Sequence, residues 1–240
     1  MNMKVLHKLG SANDIFQKKY NVFSKNCFDK NTSLEKVKFD FYTTQDLFVK
    51  SGQVEKFADK TNILCNAIEN IGNKNISDLL INELCKLCVN FNLQKSSEKI
   101  VYRAIMNCRK NKDGLHELAR IIDLEKIYTK NNNKKLVKTL NMKKNCCEKI
   151  LKDYNSNARN FRSLIKIPTS KYYVEAQLAT TYCQLAEKVA PNQPNNAIAL
   201  LQKARMINKK LKRYRAADYN EFCIKDIIQN NFNFPSNYHY

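Results

Sequence analysis

Two runs near the C-terminal end decide the reading of this chain: VEAQLATTYCQLAEKV from Val174 to Val189, and NNAIALLQKARMI from Asn195 to Ile207. In the first, Leu178, Ala179 and Tyr182 recur at helical spacing. In the second, Ala197, Leu201 and Ala204 do the same. Each trio falls on one face of its helix. The small residues Ala179, Ala197 and Ala204 let two helices approach closely, and Tyr182 and Leu201 fill the space beside them. The pair therefore predicts one helical hairpin, joined through APNQPNN, a turn in which two prolines oppose helix.

Working outward, the same pattern returns in weaker form. Leu34 to Ile71 reads as two helices around Gly52, opened by Thr32 and Glu35 as a capping box. There Val54 and Phe57 or Ala58 follow the turn. Ser77 to Asn111 gives DLLINELCKLCVNF and then, after Ser96, a helix with Ile100, Val101, Ala104, Ile105 and Cys108 on one stripe. Leu115 to Leu151 begins at an Asp113 cap. It carries Ala119, Ile122 and Leu124 to Tyr128 on one helix, and Leu136, Leu140, Cys147 and Ile150 on the next. Residues 153–170 interrupt the spacing at Pro168. A last helix from about Arg215 to Ile228 would cover the open end of the stack.

The hairpin 174–207 resembles the tetratricopeptide repeat, a family of stacked antiparallel helical hairpins. In the first hairpin, Gly52 followed by Val54 and Phe57 is similar to the turn of such repeats. The resemblance implies an all-α solenoid with a partner-binding groove lined by the first helices of successive hairpins. Here these would offer Asn82, Lys86 and Asn90, and Lys171, Glu175 and the neighbours of Tyr182. The lysine and asparagine clamp of chaperone-binding members is not matched. The expected organisation is an arm or first helix over 1–31 (around Ile15–Phe23), a helical repeat domain over 32–229 and a tail over 230–240.

Composition agrees with that class. The 240 residues hold only 4 Gly and 4 Pro, with 43% hydrophobic residues. So few glycines argue against phosphate-binding loops and tight-turned sandwiches, and favour long helices with short connections. Gly10, Gly52, Gly72 and Gly114 fall where helical patterns break. No stretch approaches the roughly 20 apolar residues of a membrane helix, and MNMKVLHKLGSANDIF has no apolar leader. Nine unframed cysteines suit a reducing compartment. The expectation is an intracellular chain, cytoplasmic first, with nucleus or organelle left open.

Candidate chemistry is sparse. Cys85 and Cys88 form a Cys-x-x-Cys pair without a second pair, and helical spacing favours core packing over zinc. His7, His116 and His239 stand apart from any catalytic constellation. No phosphate-binding lysine loop or His-Glu-x-x-His occurs. The chain is therefore expected to be no enzyme and to hold no metal, cofactor or small-molecule substrate.

Charge is the strongest signal, with 42 Lys and Arg against 22 Asp and Glu. Lys203, Arg205, Lys209, Lys210, Lys212, Arg213 and Arg215 run through the last repeat helix and its exit. Helical spacing would place Lys203, Lys210 and Arg213 on one flank, and Arg205, Lys209 and Lys212 on another. A second stretch holds Lys130, Lys134, Lys135, Lys138, Lys143 and Lys144. The abundance of Lys and Asn also fits codon bias, in which case these are solvated faces. The resulting expectation is a scaffold or adaptor subunit that binds partner proteins in a larger assembly, with a basic flank. The alternative is a subunit that holds an RNA or DNA backbone through the basic helix.

Overall fold

A computed structural model describes residues 3–129, 133–156 and 169–229. Among them the fold is all-α, in ten helices: α1 (Met3–Phe28), α2 (Leu34–Lys50), α3 (Val54–Asn70), α4 (Lys74–Asn90), α5 (Gln94–Lys110), α6 (Gly114–Thr129), α7 (Asn133–Ser156), α8 (Thr169–Val189), α9 (Pro194–Lys210) and α10 (Tyr214–Gln229). Neighbouring helices stack as antiparallel hairpins within two compact units, residues 1–111 and 112–240.

The helices keep a fixed register. Those at 34, 54, 74, 94 and 114 begin 20 residues apart, and so do those at 194 and 214. The connections explain this regularity. Asn92, Lys112, Lys212, Gly52 and Gly72 adopt positive φ, between 51° and 82°. The next N–H then reaches back to close the helix: Gln53 donates to the Phe48 carbonyl at 2.8 Å, Asn73 to Ile68 at 3.2 Å, Leu93 to Cys88 at 3.0 Å and Arg213 to Asn208 at 2.8 Å. This is the Schellman closure, in which one left-handed residue satisfies carbonyls that would otherwise be orphaned. Because each three-residue turn is alike, the same positions of each helix face inward. Thus Val37, Phe57, Ser77, Ser97, Ala197 and Ala217 are all buried, as are Phe48, Ile68, Cys88, Cys108 and Asn208. Two such units make a 40-residue hairpin, longer than the roughly 34-residue tetratricopeptide period.

In the first unit α2 packs on α3 and α4, and α3 packs on α4 and α5. Its core is aromatic at one end. Tyr20 and Phe23 of α1 join Phe41 and Phe48 of α2 and Phe57 of α3, with ring centroids 5.2–6.4 Å apart. The segment expected as an arm or first helix is therefore a full helix. Gly10 lies inside that helix rather than at a break. Phe57 and Ala58 are both buried.

In the second unit α6 packs on α7, α7 on α8, α8 on α9 and α9 on α10. Leu178, Ala179 and Tyr182 on α8 are buried, and so are Ala197, Leu201 and Ala204 on α9. Several boundaries differ from the sequence reading for local reasons. Ser33, not Thr32, caps α2, its hydroxyl accepting from the Lys36 N–H at 3.2 Å. Pro194 sits in the first turn of α9, where its missing N–H costs nothing, so the connection is only the four residues 190–193. On α6 Leu118 and Ile121 are buried in place of the expected Ala119 and Ile122, which are half-buried, while Leu124, Ile127 and Tyr128 are buried as expected. Of the break expected over 153–170, residues 153–156 instead continue α7 and residues 169–170 open α8, while 157–168 and the tail 230–240 lie outside the described residues.

Candidate functional site

The basic run begins on α9, crosses a turn and enters α10. Two sets of its cations are held by the protein itself. Lys203 places its ammonium 5.7 Å from the ring centre of Tyr182 on α8. Lys210, two turns further along the same flank, pairs with Glu175 of α8 at 2.6 Å. Arg205 faces the other way and pairs with Glu221 of α10. Arg205 first, with Lys225 and Lys209 beside it, holds the Glu221 carboxyl below its ordinary range. The helical spacing of Lys203, Lys210 and Arg205 thus places them as expected. It does not extend to Lys212 and Arg213, because α9 ends at Lys210 and Lys212 is left-handed. Lys209, Lys212 and Arg215 are exposed and Arg213 is half-buried.

The second basic stretch breaks apart. Lys134, Lys135 and Lys138 are exposed, and Lys135 lies 5.5 Å from the ring centre of Tyr128. Lys143 points inward to Glu125 of α6 at 2.8 Å, and Gln184 of α8 donates to the other oxygen of that carboxylate at 2.7 Å. It is a core ion pair rather than surface charge. Lys130 lies outside the described residues. A second buried polar chain runs nearby in sequence, from Asn208 to Asn220 at 2.9 Å and from Asn220 to the Cys183 sulfur at 3.0 Å. Sequence pattern gave no sign of either, because each depends on residues from three helices.

In the first unit the facing helices α2 and α4 share a polar surface. Glu83, almost fully buried, accepts from the Tyr42 hydroxyl at 2.5 Å and from Lys86 at 3.0 Å, with Lys38 at 4.0 Å. The bond to Glu83, more than burial, pushes the Tyr42 phenol up to about 12. Of the expected groove residues, Lys86 and Asn90 are exposed and Asn82 is half-buried. On α8, Lys171 sits 4.7 Å from the ring centre of Tyr154, Glu175 is occupied by Lys210, and Tyr182 donates to Glu148 at 2.7 Å. Glu83 and Tyr42 were missed because neither stands out until α2 and α4 meet.

The chain matches no protein-family model, no curated protein and no solved structure.

The remaining candidates are structural in placement. Cys85 and Cys88 are fully buried between α4 and its neighbours, and burial pushes Cys88 up to about 11. Among the described residues no three His, Cys, Asp or Glu side chains converge as a metal site. His116 bonds Asp113 at 2.7 Å at the start of α6, where Asp113 also caps the His116 N–H. His239 and the side chain of His7 lie outside the described residues. A polar cleft of about 240 Å³ opens among Glu69, Lys74, Asp78, Asn107 and Lys110, where Lys74 bonds Asn111, Asn107 bonds Asp78 and Glu69 pairs with Arg103. No helix among the described residues is long and apolar enough to cross a membrane.

Proposed function

We propose that this chain is a non-catalytic scaffold or adaptor subunit, built of tetratricopeptide-like hairpins that hold a partner protein within a larger assembly. The observation that carries the reading is the packing of the first unit. The leading helices α2 and α4 meet directly, and the trailing helices α3 and α5 meet likewise. Such stacking gives one continuous face of leading helices, the kind of surface on which repeat proteins dock an extended segment or a helix. On that face Tyr42 and Lys86 hydrogen-bond Glu83, and Lys38 adds a longer ion pair to the same carboxylate. Arg103 stiffens the opposite side by spanning from α5 to Asn62 and Glu69 of α3. A face held rigid on both sides loses little conformational entropy when a partner binds.

The test is a native pull-down from the source cell, washed at low and then high salt, with and without nuclease. Protein partners that persist through high salt and nuclease, and are lost with Tyr42→Ala and Glu83→Lys, would support the reading. Partners retained by both variants would place docking elsewhere. Loss of all proteins on nuclease treatment would overturn the scaffold reading.

A further inference from the structure

The cations between Lys203 and Arg215 fall into two classes. Lys203, Arg205 and Lys210 lean on the Tyr182 ring, Glu221 and Glu175. Lys209, Lys212, Arg213 and Arg215 form no ion pair within 4 Å among the described residues. These four fall within the seven residues 209–215, which cover the end of α9, the turn and the first two residues of α10. The turn is tight. Lys212 donates its N–H to the Lys209 carbonyl at 3.0 Å, and Arg213 donates to Asn208 at 2.8 Å. Four positive charges therefore gather at one corner instead of spreading along a helix.

Tyr214 stands between Arg213 and Arg215 and is 61% exposed. Ala217, three residues on, is buried and Leu211, three residues before, is half-buried, so the inward positions of this register are filled by other residues and most of the ring is left to solvent. An exposed aromatic flanked by guanidinium groups has an open π-face in a positive field. Sequence-independent binders of single strands combine these two features, cations for the phosphates and an aromatic platform for a base. The start of α10 adds to the same field. The first helical N–H bonded within the chain there is that of Ala217, to Arg213 at 3.0 Å. The N–H groups before it remain directed outward at the positive end of the helix.

We propose that this corner binds single-stranded nucleic acid, with Lys209, Lys212, Arg213 and Arg215 holding phosphates and Tyr214 stacking on an unpaired base. Duplex recognition would need an element that enters a groove, whereas this site is a turn whose one ring requires an unstacked base. An acidic protein would satisfy the cations but leave Tyr214 without a role. The site lies in the second unit and is independent of the α2–α4 face, so either reading can fail alone.

The test is fluorescence anisotropy of the full chain with a labelled oligouridylate, against an RNA duplex of equal length and against heparin as a polyanion without bases. The single strand should bind more tightly than the duplex, with log affinity falling linearly in log salt. The triple variant Lys209→Gln, Lys212→Gln, Arg215→Gln should reduce that slope by about two, at roughly 0.7 per phosphate contact on a single strand. Tyr214→Ala should weaken oligouridylate about five-fold or more and leave heparin unchanged, while Tyr214→Phe should retain binding. All these side chains are exposed, and circular dichroism confirms that each variant is folded before binding is read. Duplex preference, an unchanged slope, a Tyr214→Ala variant that binds as the parent does or loses heparin equally, or no binding at low salt would each overturn the proposal.

Discussion

Lys143 on α7 and Glu125 on α6 form an ion pair 2.8 Å long, with side chains only 3% and 10% exposed. Gln184 of α8 bonds the same carboxylate. Three helices of the second unit thus meet at one buried charge. A buried pair contributes little net stability, but loss of one partner strands the other in a low-dielectric interior. Lys143→Met should therefore cost about 3–5 kcal/mol in denaturant unfolding. Adding Glu125→Leu to that variant should restore at least half of the loss, even though Gln184 then lacks its acceptor. A double variant less stable than Lys143→Met would show that the pair is not the source of the effect.

The left-handed turn positions predict opposite signs for opposite substitutions. Lys212 holds φ at 58° where Gly52 holds 69°. An L-residue in that region costs about 1–2 kcal/mol, partly offset by the greater chain entropy that glycine loses on folding. Lys212→Gly should stabilise by about 0.5–1 kcal/mol, and Gly52→Ala should destabilise by about 1 kcal/mol. Nothing lies within 4 Å of a Cβ built on Gly52, so the cost there is backbone strain alone. The two urea midpoints should shift in opposite directions.

Ala197 and Ala204 are fully buried on α9, with α8 and α10 packed on that helix. Replacing either with leucine inserts volume into a closed interface. The expected cost is about 1–3 kcal/mol by overpacking, seen as a lower melting temperature with helicity retained at 25 °C. Unchanged stability in both variants would mean the α8–α9 seam is not the close approach described.

Burial should make the fold sensitive to alkali. It pushes Cys27, Cys65 and Cys147 up to about 12, and Cys88 and Cys183 up to about 11. Above the ordinary thiol range the unfolded chain releases protons that the folded chain keeps. Stability is then fully present below about pH 9 and falls as pH rises through 9–12. The urea midpoint should drop steadily over that window. At pH 8 the native chain should react with a thiol reagent only on the timescale of opening, and all nine cysteines should react once it is unfolded.

The sequence was most legible where a stripe of apolar residues stood alone. Leu178, Ala179 and Tyr182 against Ala197, Leu201 and Ala204 announced α8 and α9, and Ile100 to Cys108 announced α5, because helical period is a local property. Turns were partly legible. Gly52 and Gly72 marked two of them, but Asn92, Lys112 and Lys212 fill the same left-handed role without a glycine. Gly10 misled in the opposite sense, since a helix interior tolerates a glycine when neighbours such as Tyr20 and Phe23 anchor the helix elsewhere. The basic run could be counted in sequence, but which of its cations meet a carboxylate could not.

By itself, then, the sequence determined an all-helical chain, the rough place of each hairpin and the excess of positive charge, since composition and period are carried by each segment alone. Only the tertiary structure decided which charges are spent. Lys143 turns inward to Glu125, Lys210 reaches Glu175 and Arg205 reaches Glu221, while Lys209, Lys212, Arg213 and Arg215 form no ion pair among the described residues. The physical reason is that a charge is neutralised by whatever carboxylate the packing brings within a few ångströms, and these partners lie 16 to 35 residues away in the chain.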